Sequence, residues 1–208
     1  MIQKSLLKPL LFIALAIFVL ILWKEGVDLP TNFYALMSAA VTAAAVIYAL
    51  FELYLWRLPV VSQLLSLPPD IQGTWKGQID SFWVDPETKL TPPPFDVYAV
   101  IRQTSSSINV RMFTAKSSSD TMAAHIDTQK GTHTIWAVFL NTPHLQFRDR
   151  SPIHHGGFMI TLIGSPVQRL SGSYWTDRKT TGNITFSAKS KTITDDFESA
   201  AALEYQAD

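Results

Sequence analysis

The chain has 208 residues, with 17 basic against 17 acidic side chains and no cysteine. The absence of cysteine excludes disulfides, thiolate metal ligands and a cysteine nucleophile. The balanced charge argues against binding of duplex nucleic acid, which normally requires an excess of lysine and arginine.

Two apolar runs dominate the N-terminal part, residues 10–23 and 33–51, and a polar connection at 24–32 separates them. A bilayer core is crossed by roughly 20 residues of apolar helix. The second run is long enough alone, and the first reaches the required length when Leu6 and Leu7 are included. We therefore predict a transmembrane hairpin of two α-helices over residues 1–57.

Basic residues flank this hairpin on one side. Lys4 and Lys8 precede the first run and Arg57 follows the second, whereas the connection holds only Lys24, offset by acidic neighbours. Short segments rich in lysine and arginine stay on the cytoplasmic side of a membrane. The sequence therefore predicts a multi-pass protein with two spans and both termini in the cytoplasm.

Small residues recur every four positions in the second run, at Ala35, Ala39 and Ala43. They share one helix face, and such faces allow two membrane helices to approach closely. This face predicts transmembrane helix packing, either within the hairpin or between copies of the chain.

After a linker at 58–69, the composition changes to short stretches rich in β-branched and aromatic residues, broken by turn residues. We predict eight strands, near 74–83, 95–103, 108–115, 121–128, 132–140, 157–163, 170–176 and 182–188. Eight strands without a helical pattern between them predict an all-β, antiparallel, lipocalin-like barrel over 70–194, which would be the ligand-sensing domain. An acidic tail follows at 195–208, either as a short helix or as a frayed end.

Known catalytic motifs are missing. The chain contains no Gly-x-Ser-x-Gly, no phosphate-binding glycine loop and no His-Glu-x-x-His. His154 and His155 are adjacent, and adjacent residues of a strand point to opposite faces, which does not favour a shared metal ion. We therefore predict a protein that is not an enzyme and has no metal site or cofactor.

One candidate ligand site lies in a predicted hairpin at 95–115. There Arg102 lies opposite or diagonal to Arg111 on one face, and Tyr98 shares that face. Two neighbouring arginines repel each other unless an anion lies between them. This face predicts phosphate binding by the arginines and base stacking on the tyrosine, and the alternative is that it forms the wet outer wall of the barrel.

A second candidate site surrounds the predicted turn between the last two strands. It contains Tyr174, Trp175, Arg178 and Thr180. Aromatic rings followed by an arginine and hydroxyls can stack a base and bind a phosphate. The alternative is an ordinary hairpin with one aromatic residue in the core and a polar tip.

The order of elements and two short motifs resemble a known family. The β-rich part opens with IQGTWKG at 71–77 and closes with LSGSYWTDR at 170–178 and GNI at 182–184. With the two preceding helices and a short link, this resembles the two-transmembrane, β-barrel effectors of bacterial cyclic-oligonucleotide anti-phage signalling (CBASS), the CD-NTase-associated membrane effectors.

The resemblance implies an effector in the bacterial inner membrane whose cytoplasmic barrel binds a cyclic dinucleotide made by a partner CD-NTase synthase. Binding would trigger homo-oligomerisation of the transmembrane region, disrupt the lipid bilayer and kill the infected cell. The alternative function is a membrane-tethered, lipocalin-like carrier or scaffold for an apolar ligand or an envelope partner. An apolar lumen without convergent arginines would favour that alternative.

Overall fold

A computed structural model describes residues 13–20, 23–24, 33–129 and 131–206. They form two compact units. The first unit comprises the described residues up to Leu67 together with Thr104–Ser106, and the second comprises Pro68–Gln103 and the chain from Ser107 onward.

The first unit is helical, with α1 at Phe33–Leu53, a 3-10 turn at Leu55–Arg57 and α2 at Pro59–Leu64. The alanine-rich sequence of α1 favours a helix because alanine has the highest helix propensity. Among the small residues of α1, Ala40 and Ala44 are buried.

The predicted packing residues occupy other positions of α1. Ala35 and Ala39 are exposed and Ala43 is half-buried. Close helix–helix packing through these three residues therefore stays a prediction.

Within the described residues, no helix combines the length and the apolarity needed to cross a membrane. The predictions of a two-helix transmembrane hairpin and of a two-span inner-membrane location with cytoplasmic termini are therefore wrong. A crossing requires roughly 20 apolar residues in one helix. In the first apolar run, residues 13–20 and 23–24 are the described helical positions, and the last turn of α1 carries the carboxylate of Glu52.

The second unit is a closed antiparallel barrel of eight strands, each paired with the next and the last with the first. This confirms the predicted eight-stranded antiparallel barrel. The strands are β1 Gly73–Ser81, β2 Phe95–Gln103, β3 Ile108–Phe113, β4 Ser117–Gln129, β5 Thr132–Pro143, β6 His154–Ile163, β7 Arg169–Thr176 and β8 Thr181–Ser190. A short helix, α3 at Phe197–Ala201, lies in the acidic tail.

Alternate residues of each strand fill the barrel. The largest inward side chains include Trp75, Phe158 and Phe186, each at most 1% exposed. Burial of such side chains contributes about 1.5–3 kcal/mol each to the unfolding free energy. The interior is thus a packed apolar core.

One irregularity interrupts the alternation along β8. Lys76 pairs with Ala188, but the next residue of β1, Gly77, pairs with Phe186, so Ser187 is an extra residue without a partner on β1. A bulge of this kind shifts the inward and outward assignment of all following residues by one position. Gly77 is required there, because a Cβ at this position would lie 2.1 Å from the carbonyl oxygen of Thr185.

Candidate functional site

The predicted arginine face lies on the outer wall of the barrel. Arg102 pairs with Asn109, and Arg111 pairs with Val100, so the two arginines are diagonal neighbours on one face. The intervening residues of β2, such as Ile101, point into the core. The structure therefore matches the alternative in which this polar face is the outside of the barrel.

Each arginine of this face has a carboxylate partner within the chain. The guanidinium of Arg102 donates to Asp195 at 2.8 Å, and the guanidinium of Arg111 lies 2.5 Å from Asp120. Tyr98 is only 3% exposed, and burial raises its pKa. Ligand binding by Tyr98, Arg102 and Arg111 stays a prediction, and a phosphate there would compete with these intramolecular carboxylates.

The aromatic pair of β7 is divided between the two faces of the sheet. Tyr174 points inward and its hydroxyl donates to Ser81 at 3.1 Å, whereas Trp175 is 46% exposed on the outer wall. The indole of Trp175 lies over Gly157, where a Cβ would be 2.6 Å from the ring. The two rings therefore do not form a single stacking platform.

The turn after β7 is held by its own hydrogen bonds. Arg178 donates to the hydroxyl of Ser151 at 2.7 Å and to the carbonyl of Arg150 at 3.0 Å. The hydroxyls of Thr176 and Thr180 are 2.7 Å apart. Because β1 separates β8 from β2, strand pairing does not join this group to the arginine face. A ligand role for Tyr174, Trp175, Arg178 and Thr180 stays a prediction.

A different set of residues forms a concave site at the barrel end where β1 begins and β8 ends. The bulge at Ser187 turns the side chain of Lys189 to the face of its partner Trp75, inside the barrel rim. The ammonium of Lys189 lies 5.3 Å from the centre of the Trp75 ring. We call this site the Lys189 pocket, and it is lined by Trp75, Val167, Gln168, Ser187, Lys189, Lys191 and Gln206.

The charges around the Lys189 pocket favour an anion over a cation. Burial lowers the pKa of Lys189, an effect that Asp70 opposes and that the like charge of Lys191 reinforces. The pocket lining contains no carboxylate. Within the described part of the chain, neither lysine forms a salt bridge. An anion between the two ammonium groups would relieve their repulsion and repay the desolvation of Lys189.

The other pocket residues complete the chemistry. The amides of Gln168 and Gln206 and the hydroxyl of Ser187 can donate hydrogen bonds to oxygen atoms. The indole of Trp75 is only 1% exposed and lies beneath Lys189. The cavity is about 100 Å³. Typical small-molecule pockets are roughly 300–1,000 Å³. The pocket therefore suits one phosphate group of a larger ligand better than the whole of such a ligand.

Sequence reasoning missed this pocket. The predicted last strand ends at residue 188, and simple alternation from the buried Ile184 and Phe186 places Lys189 outside. The bulge reverses that assignment. A usable signal is the spacing of two residues between Lys189 and Lys191, which puts both side chains on one face of an extended segment.

Comparison with known proteins gives two matches. The family model described as "Cap15, cyclic dinucleotide receptor domain" matches residues 66–188. CD-NTase-associated protein 15 from Staphylococcus schleiferi is 23% identical over 149 residues, which are 72% of this chain and 76% of that protein. Trp75 and Gln168 of the Lys189 pocket lie within the family match, whereas Lys189, Lys191 and Gln206 lie beyond its last residue.

Proposed function

Because the chain belongs to the family of Cap15 cyclic dinucleotide receptor domains, as the sequence resemblance implied, we propose that its barrel binds a cyclic dinucleotide made by a CD-NTase synthase during infection. It acts as a binding effector of CBASS anti-phage defence and not as an enzyme.

The Lys189 pocket is the observation that carries the proposed binding site. A cyclic dinucleotide has two phosphodiester groups, each with one negative charge, and two flat bases. The pocket provides two cationic side chains and amide and hydroxyl donors, and its lining has no acidic residue. One phosphodiester lies between Lys189 and Lys191, and the rest of the ligand extends out of the pocket.

The binding energy comes mainly from charge. A hydrogen bond that involves a charged group contributes about 1.5–3 kcal/mol. In a partly buried site such an interaction is screened less by salt than on an open surface. Lys189 is half-buried and Lys191 is exposed, so Lys189 contributes more to affinity.

We also propose how the chain responds to its ligand. Ligand binding favours self-association of the chain, provided that the associated state binds the ligand more tightly than the single chain does. The consequence for the infected cell is membrane disruption and cell death. Support for this part comes from the resemblance to CBASS effectors.

The alternative function, a carrier of an apolar ligand, finds no support in the barrel interior. Trp75, Phe158 and Phe186 fill the centre of the core together with branched aliphatic side chains. An apolar cargo would have to displace these side chains. Binding of an anionic ligand is therefore better supported than carriage of an apolar one.

The direct test is isothermal titration calorimetry of the full chain with cyclic di-GMP, cyclic di-AMP and cyclic GMP–AMP. We expect saturable binding of at least one of them, with an affinity that falls as salt is raised. No heat of binding across the three ligands would refute the proposed function.

A further inference from the structure

The C-terminal segment 195–206, here called the C-terminal strap, is attached to the barrel at both of its ends. Near its beginning, Asp195 accepts a hydrogen bond from Arg102 on the outer face of β2 at 2.8 Å. The next residue, Asp196, caps α3, because its carboxylate accepts from the N–H of Ser199 at 2.7 Å. Ala200 within α3 is fully buried. The strap is therefore an ordered part of the second unit and not a frayed end.

Aromatic contacts hold the middle of the strap. The ring of Tyr98 lies 5.3 Å from that of Phe197 in an edge-on arrangement and 5.9 Å from that of Tyr205 in a stacked one. The hydroxyl of Tyr205 donates to the carbonyl of Ala200 at 2.7 Å, which fixes the turn after α3. Since Tyr98 points away from the core, its burial is due to the strap.

The end of the strap reaches the Lys189 pocket. The backbone N–H and C=O of Gln206 each form a 3.1 Å hydrogen bond with the backbone of Lys189. Pairing of β7 with β8 stops at Leu170 and Phe186, so Gln206 takes the place of β7 beside the last residues of β8. The side chain of Gln206 then lines the pocket.

We propose that docking of the C-terminal strap builds one wall of the Lys189 pocket, so that strap docking and ligand binding stabilise each other. This inference rests on the proposed function for the identity of the ligand. The strap fixes the backbone of Lys189 and supplies the amide of Gln206, and both are lost when the strap is released. By linkage, a ligand that binds the docked form must in turn strengthen docking.

The test compares the full chain with two strap variants. Phe197→Ala removes the ring of the strap that packs on Tyr98, and Gln206→Pro removes the N–H that bonds to Lys189. Trp136→Ala is the matched control, because it deletes an outward aromatic ring from another strand, β5. Binding is measured by calorimetry with the three cyclic dinucleotides and with inorganic pyrophosphate, and strap docking by amide hydrogen exchange at 195–206.

We expect both strap variants to bind at least about tenfold more weakly, while Trp136→Ala binds like the unmodified chain. Saturating ligand should slow amide exchange at Tyr205 and Gln206 in the unmodified chain. A strap variant whose exchange shows release of the strap, yet whose affinity is unchanged, would overturn the inference and leave the proposed function standing.

The titration with pyrophosphate distinguishes failure of the proposed function from failure of the inference about the C-terminal strap. If the unmodified chain binds pyrophosphate but no cyclic dinucleotide, the proposed function fails and the inference is judged on the pyrophosphate affinities of the variants. If the chain binds none of the four probes, both are refuted. Melting temperatures show that each variant is folded before its affinity is compared.

Discussion

The substitution Lys189→Met tests the proposed site most directly. Methionine keeps a long unbranched side chain that can pack on the indole of Trp75, and it removes only the charge. We expect the affinity for the cyclic dinucleotide to fall while the fold is kept. Loss of affinity would then report the missing ammonium group and not a damaged barrel.

The size of the effect follows from the place of Lys189 in the pocket. Loss of one charge-assisted hydrogen bond of about 1.5–3 kcal/mol corresponds to a dissociation constant that is about 10- to 100-fold higher. Lys191→Met should cost less, because Lys191 is exposed and its charge is better screened.

Although Lys189→Met should lower the affinity, it should not lower the unfolding free energy of the chain. Burial lowers the pKa of Lys189, so the folded chain holds this proton less tightly than the unfolded chain does. The unfolding free energy of the unmodified chain therefore rises as the pH rises through the folded pKa, and at neutral pH the charged ammonium is a cost. Lys189→Met removes that cost, and its melting temperature at neutral pH should equal or exceed that of the unmodified chain.

The assay is calorimetric titration together with thermal melting, with Lys116→Met as the control. Lys116 lies in the turn between β3 and β4, and its ammonium lies 5.7 Å from the ring centre of Phe147, a similar cation–aromatic contact outside the pocket. If Lys189→Met binds as tightly as Lys116→Met, the pocket does not hold the phosphate and the reasoning is refuted.

Three further predictions concern the barrel and the helical unit. Gly77→Ala should lower the unfolding free energy by about 1–3 kcal/mol, because the new Cβ meets backbone at the bulge, and an unaltered denaturation midpoint would contradict this account. Tyr174→Phe removes the hydrogen bond to Ser81 and should lower the free energy of unfolding, measured in urea, by about 0.5–1.5 kcal/mol. Burial alone would raise the pKa of Glu52, but hydrogen bonds from hydroxyls and from the N–H of Ser106 hold it below the ordinary 4.5. The stabilisation by the Glu52 carboxylate is therefore present above pH 4.5 and is lost as the pH falls through the folded pKa. We expect protection of the Ser106 amide against exchange to fall over this acidic range, and Glu52→Gln should lack that pH-dependent loss.

The number and order of the strands could be predicted from the sequence. Alternation of apolar and polar residues is a local property, and turn residues mark where each strand stops. The alternation in 95–103 and 108–113 also placed Arg102 and Arg111 on one face. Alternation assigns the residues of a strand to two faces, but it does not say which face lines the interior of the barrel. That is decided only when the other strands close the barrel.

Apolar composition was a weaker guide for the N-terminal part. A run of hydrophobic residues predicts an apolar helix. The length over which that helix forms also depends on its tertiary contacts, which composition does not reveal. The described helices do not satisfy the length and apolarity of a membrane crossing, although the runs alone predicted two of them.

The sequence by itself determined an all-β barrel of eight strands and its family, because apolar–polar alternation and short motifs are local features of the sequence. Only the tertiary structure decided which residues line the Lys189 pocket. The Lys189 pocket depends on one extra residue in β8, on Gly77 across from it, and on Gln206 from the far end of the chain. These groups are separated in sequence and act together only after the barrel has closed and the C-terminal strap has docked.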